Sequence, residues 1–358
     1  MKSIEHLVRE NIKSLEPYSS ARSLHLSGIL LDANENPYDL FGQPGQPALN
    51  RYPNGSNPEL KDKIAEQFSA ASKQITVGNG SDEIIDLMIR IFCEPRVDRI
   101  CVCVPTYSMY RVAANIQDVD VLEVPLKDYD LDEAAVQLAC LSPTKILFLC
   151  NPNNPTSTLY SREKVLRLLD TLNCIVVVDE AYMDFAGEAS LIGVLDTYKN
   201  LVVMRTFSKA YAMAGVRLGF AFASEEITAL LHKVKMPYNI NVLTTQAVLE
   251  GLDHAARIGP VITELVERRE LLEQKLRDFD FVEEILPSHT NFLCVKFTNA
   301  EDVFKKILAR HIVLRKLSGP YLAGYLRISV GTEAENRLLL DALTETMGVS
   351  TVNSRANA

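Results

Sequence analysis

Apolar positions recur along this chain in two rhythms, and the rhythm changes from one segment to the next. Ile4, Leu7, Val8, Ile12 and Leu15 fall at helical spacing, which predicts a short helix over 3–15 that Pro17 and Tyr18 close. A short extended segment is expected at 29–31. Residues 42–58 then hold Gly42, Pro44, Gly45, Pro47, Pro53, Gly55 and Pro58, a density of turn formers that argues for a long loop. A loop of that length in a compact protein usually serves a function or lies against a partner. From residue 59 onward helical patterns at 59–68, 82–92, 107–116, 131–140 and 161–172 alternate with short apolar runs. Those runs, at 99–104, 120–124, 145–150, 174–179, 201–205 and 218–222, read as buried strands. Ser81 is expected to cap the helix that starts at Asp82. Such alternation predicts a mostly parallel sheet covered by helices on both faces, an α/β fold that binds ligands at the carboxyl ends of its strands.

The last third has a different rhythm. Helices are expected at 225–236, 243–277 (as one or two), 301–310 and 333–347, with strands at 282–286, 291–297, 312–315 and 325–330. This predicts a smaller α+β domain, which the N-terminal helix is expected to join. The polar residues 350–358 are expected to fray.

Composition narrows the picture by exclusion. The chain has 358 residues, enough for one large and one small domain, and a net charge of -9 gives no electrostatic support for nucleic-acid binding. The seven cysteines form no CxxC pair and lie mostly in apolar runs, so they read as buried thiols of a reducing compartment. The six histidines form neither HExxH nor a Cys/His cluster, and no metal site is expected. No apolar run reaches membrane-spanning length, and Met1-Lys-Ser-Ile-Glu-His lacks the apolar core of a signal peptide; a cytoplasmic protein with no membrane partner is expected.

Candidate chemistry gathers at the predicted strand exits. Arg-Thr-Phe-Ser-Lys-Ala-Tyr-Ala-Met-Ala-Gly-Val-Arg-Leu-Gly at 205–219 sets Lys209 among small residues at such an exit. Desolvation there would free its amine to attack a carbonyl. Ser208 and Arg217 flank it and suit a phosphate. An amine beside a phosphate cradle suggests pyridoxal phosphate (PLP), an aldehyde that carries a phosphate; a loop lysine is the plain alternative. Asp179 ends the buried run Cys-Ile-Val-Val-Val-Asp, where an unpaired carboxylate is costly, and a protonated pyridine nitrogen would serve as its partner; a helix N-cap is the other reading. Tyr182 and Asn154, the latter in Asn-Pro-Asn-Asn-Pro-Thr, could hydrogen-bond the ring's phenolate oxygen, or could be a packed tyrosine and a turn residue. Gly80, Ser81 and Asp82 open a helix where backbone amides could meet a phosphate. Tyr107 could stack on a flat ring or belong to the core.

Together with Leu-Asp-Ala-Asn-Glu-Asn-Pro at 31–37, Arg-Tyr-Pro at 51–53, Gly-Asn-Gly-Ser-Asp-Glu at 78–83, Val-Asp-Glu-Ala-Tyr at 178–182, Ser-His-Thr-Asn-Phe at 288–292 and Leu-Arg-Ile-Ser-Val-Gly at 326–331, these stretches are telling. Over about residues 5–347 the chain resembles the fold-type I PLP-dependent aminotransferases. The resemblance implies a large PLP-binding domain at 30–247, with a mostly parallel seven-stranded sheet between helices, and a small domain at 248–349. An N-terminal arm and helix at 1–29 would accompany the small domain, and 350–358 would be a flexible tail. It implies that Lys209 holds PLP covalently and carries the proton, and that Asp179 pairs with the pyridine nitrogen. Asn154 and Tyr182 would bind the phenolate oxygen, and Tyr107 would cover the ring. Gly80, Ser81, Ser208 and Arg217 would bind the cofactor phosphate, with Asp82 a further cofactor-binding position and Tyr52 reaching in from the second subunit of a homodimer. Arg327 would bind the substrate's anionic end, with Tyr18 and Asn36 as further substrate positions. Within the family the likeness is to members that transfer the amine of histidinol phosphate to 2-oxoglutarate, giving glutamate, in histidine biosynthesis; an aromatic amino acid aminotransferase of the same fold is the alternative. Two departures stand out: Ser157 follows the Asn-Pro-Thr where glycine is frequent, and the segment around Tyr18 lacks a second proline.

Overall fold

The computed structural model describes residues 4–17 and 28–347. In chain order its main elements are α1 (Glu10–Lys13), α2 (Pro58–Phe68), β1 (Ile75–Asn79), α3 (Ser81–Phe92), β2 (Arg99–Val104), α4 (Met109–Ile116) and β3 (Asp120–Pro125). There follow α5 (Glu133–Ala139), β4 (Thr144–Cys150), α6 (Arg162–Thr171), β5 (Ile175–Asp179), β6 (Leu201–Thr206) and β7 (Leu218–Ala223). The remainder is α7 (Glu225–Val234), α8 (Val242–Asp253), α9 (Ile258–Arg277), β8 (Val282–Ile285), β9 (Phe292–Phe297), α10 (Ala300–Ala309), β10 (Arg315–Lys316), β11 (Tyr325–Ser329) and α11 (Glu333–Met347).

Seven strands form one sheet in the order β1-β7-β6-β5-β4-β2-β3. The pairs from β6 to β3 are parallel, and β7 runs antiparallel to both neighbours. Alternation within each strand sorts side chains to two buried faces. Leu147 and Leu149 of β4 join the core under α2, α5, α6 and α8, whereas Ile146, Phe148 and Cys150 join the core under α3, α4 and α7. Both faces are covered, which is why the central strands read as unbroken apolar runs. The antiparallel β7 matters for the site. β6 runs to the carboxyl edge, residues 207–217 turn there, and β7 starts back from the same edge, so that Asn79 at the end of β1 pairs with Leu218.

A second, four-stranded antiparallel sheet, β10-β11-β9-β8, packs against α9, α10 and α11 around Leu293, Val295, Leu326, Val303 and Leu343. No helix among the described residues is long and apolar enough to cross a membrane.

The expected N-terminal helix is broken: a turn at Glu5–Leu7 is followed by extended Val8 and then α1. Nor does this segment accompany the small sheet. Ile4, Leu7, Val8 and Ile12 are buried with Ile84, Ile91 and Phe92 of α3, Arg9 N–H donates to Ile91 O at 3.0 Å, and the Arg9 side chain donates to the Arg90 carbonyl. The helical spacing correctly marked an apolar stripe, but α3 offers the complementary one. Residues 29–31 form no strand, and Ile29 and Leu31 stand exposed. The run expected at 312–315 yields only the two-residue β10, and 243–277, expected as one or two helices, forms two, α8 and α9.

Candidate active site

The carboxyl edge of the large sheet carries the site. β4 and β5 are in register with Cys150 beside Asp179, and β5 and β6 with Asp179 beside Met204. Asp179, 3% exposed, is held at both oxygens: the Tyr110 hydroxyl donates to Oδ2 at 2.9 Å and the Ala181 amide to Oδ1 at 3.1 Å. Burial nonetheless pushes its carboxyl up to about 6, against the pull of those two donors. The amide contact belongs to a local turn, but the buried hydroxyl contact comes from across the core and is not that of a simple N-cap.

Lys209 lies in the 207–217 turn. It is exposed, yet enough protein surrounds its side chain that burial, and then Arg327, lower its basicity, opposed by Asp179. Nζ stands 5.6 Å from the centroid of the Tyr182 ring and has no hydrogen-bond acceptor among the described residues. Tyr182 is buried and packs edge-on against Phe292, with ring centroids 5.2 Å apart. Burial also raises the phenol of Tyr182.

The loop at 151–158 is fixed by its own side chains. Asn153 donates to Pro105 O and accepts from Thr106, and Ser157, at φ 65°, donates to Pro287 O at 3.1 Å. Serine therefore occupies a left-handed position, and its hydroxyl ties this loop to the strand-end that leads into β9. Asn154, buried on the same loop, accepts from Arg327 of β11 at 2.5 Å. The Arg327 guanidinium also sits over Phe292, 5.3 Å from its centroid.

On the other side of Lys209 is an anion cradle. Helices α5, α6, α7, α8 and α10 each have a side chain that caps the first turn. In α3 the N-cap is Gly80, not Ser81 as the sequence suggested, and it supplies no capping side chain. Gly80 has φ 74°, and a Cβ there would lie 2.7 Å from Nη2 of Arg217. The Gly80 amide donates to Arg217 O at 2.8 Å. At Gly219, a Cβ would meet the Ser81 nitrogen at 2.3 Å, so only glycine lets β7 and the start of α3 come this close. Ser208 is oriented by Thr206, whose hydroxyl donates to it at 2.9 Å. Uncapped amides, a guanidinium and hydroxyls thus converge where a dianion would be held. Tyr107, half-buried, donates to Asp82 Oδ1 at 3.1 Å in the first turn of α3.

Lys209, Asp179, Tyr182, Asn154, Tyr107, Gly80, Ser81, Asp82, Ser208, Arg217 and Arg327 are therefore gathered at one edge. Tyr52 and Asn36 are not gathered with them within this chain. Tyr52 is exposed and stacks on Tyr238 at 4.9 Å, and Asn36 contacts Tyr38 and Asn50. Tyr18 lies outside the described residues. Sequence reasoning passed over Tyr110, although an aromatic three residues after Tyr107 on a predicted helix signals a shared face.

A cleft of about 600 Å³ opens from this edge and is lined by Tyr107, Asn154, Arg111, Arg315, Tyr321 and Arg327, among others. β10 and β11 pair Arg315 directly opposite Arg327, which sets both side chains on one face of the small sheet.

A family model for aminotransferase class I and II matches residues 28–343. A histidinol-phosphate aminotransferase of Cytophaga hutchinsonii is 44% identical over 345 residues, 95% of this chain and 98% of that one. Among solved structures, the histidinol-phosphate aminotransferase from Clostridium acetobutylicum superposes with a TM-score of 0.77 at 25% identity, covering 84% of this chain and 91% of that one. The histidinol-phosphate aminotransferase from Sinorhizobium meliloti, solved in complex with pyridoxal-5'-phosphate, shares the fold with a TM-score of 0.77 at 23% identity, covering 83% of each chain.

Proposed function

The chain belongs to the class I and II aminotransferases, and we propose that it transfers the amino group of histidinol phosphate to 2-oxoglutarate, with PLP as cofactor, in histidine biosynthesis. The observation that carries this reading is the meeting, at one sheet edge, of a buried carboxylate, an amine of lowered basicity and an anion cradle.

The residues present fit PLP. Gly80, Ser81, Ser208 and Arg217 would hold its phosphate at the start of α3, with Asp82 beside them. Asp179 would face the pyridine nitrogen, whose proton supplies the cation that a buried carboxylate lacks here. Asn154 and Tyr182 would hold the phenolate oxygen, Tyr107 would lie against the ring, and Lys209 would hold the aldehyde carbon. PLP, when bound, supplies an electron sink for the pair left behind as the substrate's α-carbon loses its proton. Lys209 would take that proton as a base and give it up as an acid to the cofactor's aldehyde carbon, work suited to an amine whose surroundings disfavour its ammonium form. Asp179, kept dry and held by Tyr110 and Ala181, needs no reorganisation to favour a proton on the ring nitrogen. The Tyr182 ring, backed edge-on by Phe292, stands beside the Lys209 amine.

Arg327 supplies the cation for the substrate's anionic end, and Asn154 fixes its fork. The opposed Arg315 supports a phosphate-bearing substrate. Two like charges directly across a strand pair disfavour each other unless an anion lies between them, and a dianion suits two guanidinium groups better than a single carboxylate would. Tyr18 and Asn36 remain further candidates for that subsite. The expected result in a donor panel with 2-oxoglutarate is that kcat/KM for histidinol phosphate exceeds that for histidinol, phenylalanine and tyrosine by at least about a hundredfold, since charges built for a phosphate are left unpaired without it. Arg315→Ala should raise KM for histidinol phosphate more than for glutamate. A panel won by phenylalanine or tyrosine would show an aromatic aminotransferase instead.

A homodimer in the cytoplasm goes with this reading. The large apolar side chains Ile29, Leu31, Tyr38, Leu40, Phe41 and Met236 are exposed, a concentration that a second copy would cover. The same stretch carries Tyr52, whose partner-directed role fits its position on an exposed loop. Lys209→Ala and Tyr52→Ala proteins, each poorly active, are expected to regain activity when unfolded and refolded together, because a heterodimer has one site with both residues. Absence of any regain, with mixed dimers present by mass spectrometry, would place Tyr52 in its own chain's site or outside both.

A further inference from the structure

One buried side chain, which the chemistry above enters only as a donor to Asp179, touches two residues of the site. Tyr110 stands in the first turn of α4 and is wholly buried. Its hydroxyl donates to Asp179 Oδ2 at 2.9 Å. Its ring stacks on Phe148 of β4, with centroids 4.9 Å apart and planes 11° from parallel. It also meets the Tyr107 ring edge-on, 5.6 Å between centroids at 84°. Phe148 thus fixes the plane of Tyr110, and Tyr110 in turn fixes two neighbours: a carboxylate oxygen through its hydroxyl and an aromatic ring through its own.

We propose that Tyr110 is a positioning residue of the cofactor site, holding the Asp179 carboxylate in one rotamer and bracing Tyr107 beside it. The inference rests on the PLP reading of this edge. A buried carboxylate with one oxygen on a backbone amide can still pivot about that contact. The Tyr110 hydroxyl takes the second oxygen and ends the freedom. The bond also favours the ionised form, which is the form able to pair with a protonated ring nitrogen. Tyr110 reaches the cofactor only through Asp179 and Tyr107, so it is not a catalytic residue.

Tyr110→Phe tests this with little disturbance, since the ring keeps its stack on Phe148 and its edge on Tyr107. The purified apoprotein is titrated with PLP and followed by the visible absorbance of the bound cofactor. Wild type must show saturable binding; if it does not, the PLP reading itself fails, which is a different result from failure of the present inference. Given binding by wild type, Tyr110→Phe is expected to weaken it by roughly tenfold, the scale for loss of one hydrogen bond to a charged group. In steady state kcat is expected to fall by a similar factor at saturating PLP while KM for either substrate stays within twofold. A variant whose PLP affinity and kcat both match wild type would overturn the proposal, as would one that changes only thermal stability. Phe148→Leu provides the second arm. It removes the stacking partner while leaving the hydroxyl, so it should loosen PLP less than Tyr110→Phe does. A larger loss in Phe148→Leu would show that packing, rather than the bond to Asp179, accounts for the effect.

Discussion

Lys209→Ala is expected to lose transamination by at least about 10⁴-fold, the upper range for removal of one positioned acid–base group, while the protein still folds. The two halves of that expectation have separate causes. Folding should survive because Lys209 is exposed and its side chain contributes no hydrogen bond or ion pair among the described residues, whereas its neighbours Phe207, Ala210 and Tyr211 are the buried members of the turn. Activity should not survive because, among the described residues, the lysine that lines the cleft, Lys316, is paired with Glu301. Burial, Arg327 and Arg217 together lower the basicity of Lys209, with Asp179 and Asp82 opposing them. The anion cradle of Gly80, Ser81, Ser208 and Arg217 is untouched by the substitution, so PLP should still bind, though more weakly and without the covalent attachment. The checks are a circular dichroism melt, an absorbance titration with PLP and a turnover assay. Retained turnover under conditions that exclude contaminating enzyme would remove Lys209 from its assigned role.

Asp179→Asn has the second largest expected effect, a fall in kcat of about 10²–10³, the cost typical of removing one preorganised electrostatic contact. The amide is close in shape to the carboxylate and can still accept from Ala181, but it carries no charge to favour a proton on the ring nitrogen. The same substitution should act in the opposite direction on the stability of the apoprotein. The carboxyl of Asp179 is raised from its ordinary 3.8 to about 6 by burial. The folded state therefore holds the proton more tightly than the unfolded chain does. The stability this contributes is fully present below about pH 4 and is lost as pH rises through about 6. Above that pH the ionised carboxylate, hydrogen-bonded but without a cation in contact, weighs against the fold by up to about 3 kcal/mol, at 1.36 kcal/mol per pH unit. Apo Asp179→Asn should thus be the more stable protein at pH 8, and the advantage should shrink toward pH 4. PLP should reverse the order at pH 8 by giving the wild-type carboxylate its cation. Melting curves of both proteins across pH, with and without PLP, read this directly. An apo variant less stable than wild type at pH 8 would contradict the assigned cost.

Several parts of this arrangement were legible in the residue pattern. The alternation of short apolar runs with helical periodicity identified an α/β sheet covered on both faces, and the strand ends fell within a residue or two of β2, β4, β5 and β6. Lys209 and Asp179 stood out because a charge at the end of a buried run needs a partner, and that cost can be read without coordinates. The Pro/Gly-rich stretch at 42–58 was correctly read as a loop because its turn residues oppose both regular periods.

Other parts could not be read there. Residues 4–12 declared an apolar face, but a stripe does not say which complementary surface it will meet, and α3 rather than the small sheet provided it. Ile29 and Leu31 looked like strand residues because an apolar side chain reads the same whether it joins a sheet or stays exposed, as these two do. Ser81 looked like the cap of α3, and only the backbone shows that Gly80 holds that position beneath Arg217. The bonds that assemble the site are long in sequence: Tyr110 to Asp179 spans 69 residues, and Arg327 to Asn154 spans 173. The sequence by itself determined which side chains had to find partners, because burial and charge are properties of local composition. The choice of partner was left to the tertiary structure, because strand order and the return of β7 from the carboxyl edge decide which distant residues meet.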